Sequence, residues 1–215
     1  MPAERDDRGV LTYTLDDPAT RNSLSVAALA DLDATLAGAL ADSSVRVIVL
    51  TGAGTAFCAG ANRAELGEPA AVERITELVT SVLARIESAA APVVCRVNGA
   101  AFGAGLALVA TADISVAVAG ARFGFPEARM GLVAGPAARA CAPRMGEVAA
   151  LDLFLTGRQF DAAEAYRFGL IADVVAPEDL DAAVESRLAD LLLGDPAALT
   201  GTKQLIRDLT QRAPA

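Results

Sequence analysis

The 215-residue sequence contains no histidine and no tryptophan, two tyrosines and three cysteines. The missing histidine excludes the most chemistry. Without an imidazole there is no Ser-His-Asp or Cys-His nucleophile–base pair, and catalytic zinc loses its commonest ligand. No G-x-S-x-G nucleophile elbow is present. Acid–base work therefore falls to Glu, Asp, Lys, Tyr or Cys, and no metal site is expected.

Long apolar runs are also missing. "AAAPVV" and "VNGAAFGAGLALVATA" are broken by Pro, Gly or Asn, so no membrane span is expected. The first residues, "MPAERDDRGV", are charged and lack the apolar centre of a signal peptide. Cys58, Cys95 and Cys141 are odd in number and widely spaced, which suits buried thiols in a reducing cytoplasm. Positive charge is scarce: 18 Lys and Arg face 27 Asp and Glu, for a net charge of -9. That argues against a nucleic-acid footprint and against docking on an anionic membrane. A small anionic ligand remains open, because one local Arg or a helix N-terminus suffices for a phosphate.

What is present is a globular composition, 53% hydrophobic and 21% charged. The length fits one domain, or one with a small appendage. "GVLTYTLDD" reads as a strand running into the turn "DDPATRNS". Leu29, Leu32, Leu36 and Leu40 form one helical stripe over 25–41. "VRVIVLTG" is a nearly continuous apolar strand, which implies burial on both faces. Val72, Ile75, Val79, Val82 and Ile86 mark a second amphipathic helix. The order then repeats: strand "PVVCRV", loop "NGAAFGAG", short buried helix "LALVATA", and strand "DISVAVA". Helices follow over roughly 146–155, 161–168, 177–193 and 196–212, with a short strand "LIADVV" between them. Strands alternating with helices predict an α/β architecture.

Two glycine loops invite a nucleotide reading, and both fail it. In "TGAGTAFCAG" the third glycine of G-x-G-x-x-G is Phe57, and in "FGAGLAL" it is Leu108. Neither carries the G-K-[ST] of a P-loop. What remains is strand, loop, helix, twice. Small residues stand where a backbone must come close to something: Gly60 and Ala61 first, then Gly103, Ala104 and Gly105. Backbone N–H groups from two such loops could converge on one oxyanion, or the glycines could simply serve tight turns.

One carboxylate stands out. In "ARFGFPEARMGL" Glu127 follows Pro126 amid Phe123, Phe125, Met130 and Leu132. An acid just after proline suits the first turn of a helix. It also suits a desolvated acid–base group whose pKa is raised.

Four stretches occur in order: "VRVIVLTGAGTAFCAGAN", "PVVCRVNGAAFGAG", "ADISVAVAGARFGFPEARMGL" and "FLTGRQFDAAEAYRFGLIADVV". Together, over roughly residues 9 to 190, they resemble the crotonase superfamily, also called the enoyl-CoA hydratase/isomerase family. The resemblance implies a spiral of repeated ββα units over residues 1–193, followed by a shortened helical segment, 194–215, used in packing. It implies an acyl-CoA thioester substrate, with coenzyme A as part of that substrate and no separate cofactor. It also implies a homo-oligomer, a trimer or hexamer, in which an apolar face of Leu199, Leu205, Ile206 and Leu209 finds a partner. The family holds an enolate oxygen on two backbone N–H groups, which by position are those of Ala61 and Ala104. Coenzyme A contacts fall near Ser23, Ala59 and Ala61. Arg21 is either a phosphate contact or a solvated surface arginine.

Several departures narrow the expected reaction. Family members usually carry Asp in place of Asn62, Gly in place of Ala104, and, in hydratases, Glu in place of Ala107. The loop after Glu127, "GLVAGPAARACAPRMG", lacks the usual glycine-rich wording and is one residue short. Hydration uses two carboxylates, whereas moving a double bond needs one base that removes a proton and returns it. The single Glu127 therefore favours an isomerase-type proton transfer over hydration, with a non-catalytic acyl-CoA-binding homologue as a further alternative. Asp152, Arg96 and Arg122 read as surface or interface residues.

Overall fold

The computed structural model describes residues 3–211. Two sheets share the strands. The larger, in spatial order, contains β1 (Ala3–Arg5), β2 (Val10–Leu15), β3 (Val47–Gly52), β5 (Val93–Val97), β7 (Ile114–Val118) and β10 (Asp173–Val175). All its pairings are parallel except β1 with β2. The smaller sheet contains β4 (Ala56–Cys58), β6 (Ala100–Phe102), β8 (Arg122–Gly124) and β9 (Phe160–Asp161). The chain therefore repeats a strand in the large sheet, a strand in the small one and then a helix, which winds it into a spiral.

The helices close the layers. Those flanking the sheets are α1 (Val26–Ala41), α2 (Pro69–Ser88) and α3 (Ala104–Thr111). They are followed by α4 (Gly135–Met145), α5 (Glu147–Thr156), α6 (Ala162–Arg167), α7 (Leu180–Leu193) and α8 (Pro196–Gln211). Strand β3 is buried at every position because both of its faces are covered, as its unbroken apolar run requires. Helix α3 is apolar on all sides and its residues from Gly105 to Thr111 are buried. Local signals start the helices: Ser25 caps α1 by accepting the Ala28 N–H, and Asp161 with Glu164 forms a capping box on α6.

Two regions differ from the sequence expectation. The stretch after Glu127 was expected as a loop, yet it forms helix α4. Pro136 stands in the first turn, where a missing N–H costs nothing, and Ala137, Cys141 and Met145 bury one face. The small sheet was not foreseen as strands, because pieces of two or three residues are too short to show alternation.

Helix α8 is tied down by cations at the ends of other helices. Lys203 donates to the Ile86 carbonyl at 3.1 Å near the end of α2, and pairs with Asp113 at 2.8 Å. Arg207 donates to the Thr111 carbonyl at 2.9 Å and pairs with Asp113 at 2.7 Å. Positive groups at helix C-termini complement the dipoles there.

Candidate active site

Both glycine loops border one cavity of about 450 Å³. Its wall includes Ala59, Gly60, Ala61 and Asn62 from the first loop, Phe102 and Gly103 from the second, and Glu127. Among the described residues no other carboxylate lines it.

The loops touch. A Cβ built on Gly60 would lie 2.8 Å from the Phe102 carbonyl oxygen and 3.8 Å from the Ala104 nitrogen. Gly60 is at φ +87°, so a side chain there would be strained as well as crowded. The first loop is laced to the preceding turn: Ala59 N–H donates to the Arg21 carbonyl at 2.9 Å, and Leu24 N–H to Gly60 at 2.8 Å. Asn62 N–H closes the lacing on Leu24 at 3.0 Å. The N–H of Ala61 has no protein acceptor among the described residues, and neither does that of Ala104, the first residue of α3. Ala104 is absent from the positive-φ positions, so a methyl fits where the family usually has glycine.

Gly103, by contrast, must be glycine. Its φ of +51° and ψ of -118° lie outside the usual regions for side-chain-bearing residues, and a Cβ there would run into Oε1 of Glu127. The carboxyl thus rests on the backbone of the second loop. Glu127 opens a 3-10 turn, Glu127–Met130, with Pro126 in the preceding position. Beneath that turn Phe125 is wholly buried and stacks on Phe154 with centroids 3.8 Å apart. Oε2 of Glu127 is buried without a hydrogen-bond partner among the described residues. Desolvation holds the carboxyl above its ordinary pKa, opposed by its own backbone N–H. The buried thiol of Cys58, behind the first loop, is pushed up to about 12 and is no nucleophile near neutral pH.

The sequence-predicted residues fall as follows. Ala61, Ser23, Ala59, Arg21 and Glu127 all border the cavity, and Ala104 adjoins Gly103 at its edge. Two N–H groups are already used, since Ser23 donates to Thr20 Oγ1 at 3.2 Å and Ala59 to Arg21. Their carbonyls accept nothing among the described residues and remain open to a ligand donor. Ala107 is 0% exposed inside α3 and is not part of the wall. Arg96, Arg122 and Asp152 lie outside the wall, facing Asp181, Asp161 and Arg158. The sequence reading missed Leu66 as a wall residue, named Met130 and Leu132 only as apolar neighbours of Glu127, and gave Asn22 and Asn98 no role. Both asparagines stood in quoted motifs, next to Arg21 and ahead of Gly99.

A family model described as enoyl-CoA hydratase/isomerase matches residues 5–214. The chain belongs to that family. Among its relatives, 2,3-dehydroadipyl-CoA hydratase of Escherichia coli (strain K12) is 35% identical over 200 residues, 92% of this chain and 78% of that protein. Probable enoyl-CoA hydratase EchA14 of Mycobacterium tuberculosis is 37% identical over 218 residues, 97% of this chain and 80% of that protein. An enoyl-CoA hydratase structure from Mycobacterium smegmatis superposes with a TM-score of 0.94 at 34% identity, covering 98% of this chain and 83% of that one. The spiral and its helical end are thus the family's fold. No described helix is long and apolar enough to cross a membrane.

Proposed function

We propose that this enzyme shifts a double bond within an enoyl-CoA thioester, using Glu127 alone as acid and base. The observation that supports this reading is a single desolvated carboxylate in the wall, seated against the loop that ends in the free Ala104 N–H. Glu127 takes a proton from C2 of a 3-enoyl thioester, and the electron pair moves onto the thioester oxygen. The N–H groups of Ala61 and Ala104 hold the resulting dienolate oxygen. The proton then returns from Glu127 to C4, leaving the double bond between C2 and C3. A carboxyl with a raised pKa suits both halves of that exchange. Coenzyme A enters as part of the substrate, with Ser23 and Ala59 offering carbonyls and Arg21 standing by for a phosphate.

Hydration is the second reading, favoured by the hydratase names of the relatives above. It would require Glu127 to activate water without the second carboxylate, because that place is Ala107. The third is an acyl-CoA binder without turnover, to which the combined departures at Asn62, Ala104 and Ala107 point. Assembly into a trimer or hexamer is proposed on separate grounds. Helix α8 leaves Leu205, Ile206 and Leu209 more than half exposed, and α5 leaves Val148, Leu151 and Leu155 at least half exposed.

The test is turnover of matched 2-enoyl- and 3-enoyl-CoA thioesters. Faster conversion of the 3-enoyl compound supports the proposal. Faster water addition to the 2-enoyl compound replaces it with hydration, and binding without turnover replaces it with the third reading.

A further inference from the structure

Two asparagines outside the cavity wall grip the strand that leads into the first loop. Asn22 is 2% exposed and sits at φ +58°, a left-handed conformation that asparagine adopts more readily than other residues with side chains. Its Oδ1 accepts the Asp17 N–H at 3.0 Å, and its Nδ2 donates to the carbonyls of Ala53 and Ala56, each at 2.9 Å. The Phe57 carbonyl lies 3.3 Å from the same Nδ2. Asn98 Oδ1 accepts the Gly52 N–H at 3.2 Å. Asn98 Nδ2 donates to the carbonyls of Gly54 at 2.9 Å and Ala56 at 3.2 Å. Both amides therefore converge on the Ala56 carbonyl, at the start of β4.

The packing around them leaves no slack. A Cβ on Gly52 would collide with the Ala56 and Phe57 carbonyls and lie 2.7 Å from Asn22 Nδ2. One on Gly105 would lie 2.6 Å from the Cys58 Cβ. So β4 is held by amides at one end and rests on the first turn of α3 at the other. That turn begins with Ala104, and β4 runs on into Ala59–Ala61.

We infer that Asn22 and Asn98 are positioning residues that set the Ala61 N–H at its working distance from the Ala104 N–H. Neither asparagine borders the cavity, so each acts through β4 rather than on the substrate. The inference rests on the proposed oxyanion role of those two N–H groups. Displacing a donor should cost less than deleting one, which typically costs a hundredfold to a thousandfold in kcat. A loss of about tenfold to a hundredfold in kcat is expected, with KM held within about threefold, because a donor matched to the developing oxyanion acts on the transition state rather than on binding.

The experiment uses 4-(dimethylamino)cinnamoyl-CoA, a thioester whose absorbance moves to the red as its carbonyl is polarised. Asn22→Asp and Asn98→Asp keep the shape and the Oδ1 acceptor but replace the donors. Tyr13→Phe, which removes the partly buried hydrogen bond to Asp31, serves as the control for general loosening. Both Asp variants should lose a large part of the red shift while their Kd for coenzyme A stays near wild type. The control should lower Tm and leave the shift intact. Folded Asp variants with the wild-type shift would overturn the inference, as would an equal loss in Tyr13→Phe. If only Asn98→Asp folds, the same comparison decides it, and failure of both to fold would show that the asparagines hold the whole fold instead. A wild-type protein that binds the probe without any shift would instead refute the oxyanion reading itself.

Discussion

The two loops that meet at the cavity are held in different ways. The first is fastened by side chains, with two asparagine amides gripping β4 and the Arg21 and Leu24 backbone lacing Ala59–Asn62. The second starts at Asn98, whose side chain also serves the first, but around Gly103 it is fastened by backbone. Gly103 donates to Gly124 at 3.0 Å, accepts from Ala107 at 3.0 Å, and turns at a conformation that suits glycine. Its free N–H begins α3, where the helix dipole already favours negative charge. The first donor depends on remote side chains and can drift if they change. The second depends on one glycine and on the carboxyl that rests against it.

The largest effect should come from that carboxyl. Glu127→Gln keeps the shape but cannot accept a proton, and loss of a general base typically costs about a hundredfold to ten-thousandfold. Steady-state turnover on the best thioester measures this, with probe binding as the check on folding. Wild-type turnover would reduce Glu127 to a residue that merely starts a turn.

The pH dependence follows from the same group. Activity that needs the ionised carboxyl should rise with pH through its raised pKa. Stability runs the opposite way. The folded pKa lies above the ordinary 4.5, so the neutral carboxyl's contribution is present below that value. It is lost as pH rises through the folded pKa. Wild type should therefore lose stability relative to Glu127→Gln between acid and neutral pH, as denaturant melts of the pair would show.

Next in size is Gly103→Ala. The methyl must displace Glu127 and hold a conformation that costs on the order of 1–3 kcal/mol. A lower Tm and a loss of about tenfold or more in kcat are expected, together with a shifted acid limb of the pH profile. Gly60→Ala, crowding the Phe102 carbonyl instead, should lower kcat without moving that limb. If both variants move the limb alike, the loops are not held independently.

This contrast also explains what could be read from the sequence. Long signals were legible: the buried run of β3, the amphipathic face of α2 and the leucine stripe of α1 lie where their periodicity placed them, except that Ala39 rather than Leu40 closes the stripe and Leu40 is exposed. The small sheet was not, because its strands are two or three residues long and are defined by partners distant in the chain. Helix α4 was hidden by its prolines, which look like loop residues until their positions within the helix are known. Glu127 was legible because a carboxylate among phenylalanines is conspicuous. Asn22 and Asn98 were not, since an asparagine beside a turn or a glycine looks like turn chemistry. Only the three-dimensional convergence on Ala56 gives them a joint role.

The smallest effect tests whether the first loop tolerates a change that leaves its fastening intact. Asn62 borders the cavity one residue beyond Ala61, and its Oδ1 accepts the Ala64 N–H at 3.0 Å. Asn62→Asp keeps that acceptor, so Tm should stay close to wild type. What changes is charge. A carboxylate near the developing enolate oxygen opposes it by about 1 kcal/mol at 4 Å in a water-like medium, which is roughly a fivefold loss in kcat. Asn62 is only partly buried, so raising the ionic strength towards 1 M should recover part of the loss. The Asn22→Asp loss should be much less sensitive to salt, because residue 22 is 2% exposed and a charge placed there is screened little. A salt-independent fiftyfold loss in Asn62→Asp would mean that residue 62 also fixes the Ala61 backbone, and the fastening of the first loop would then extend into the cavity wall.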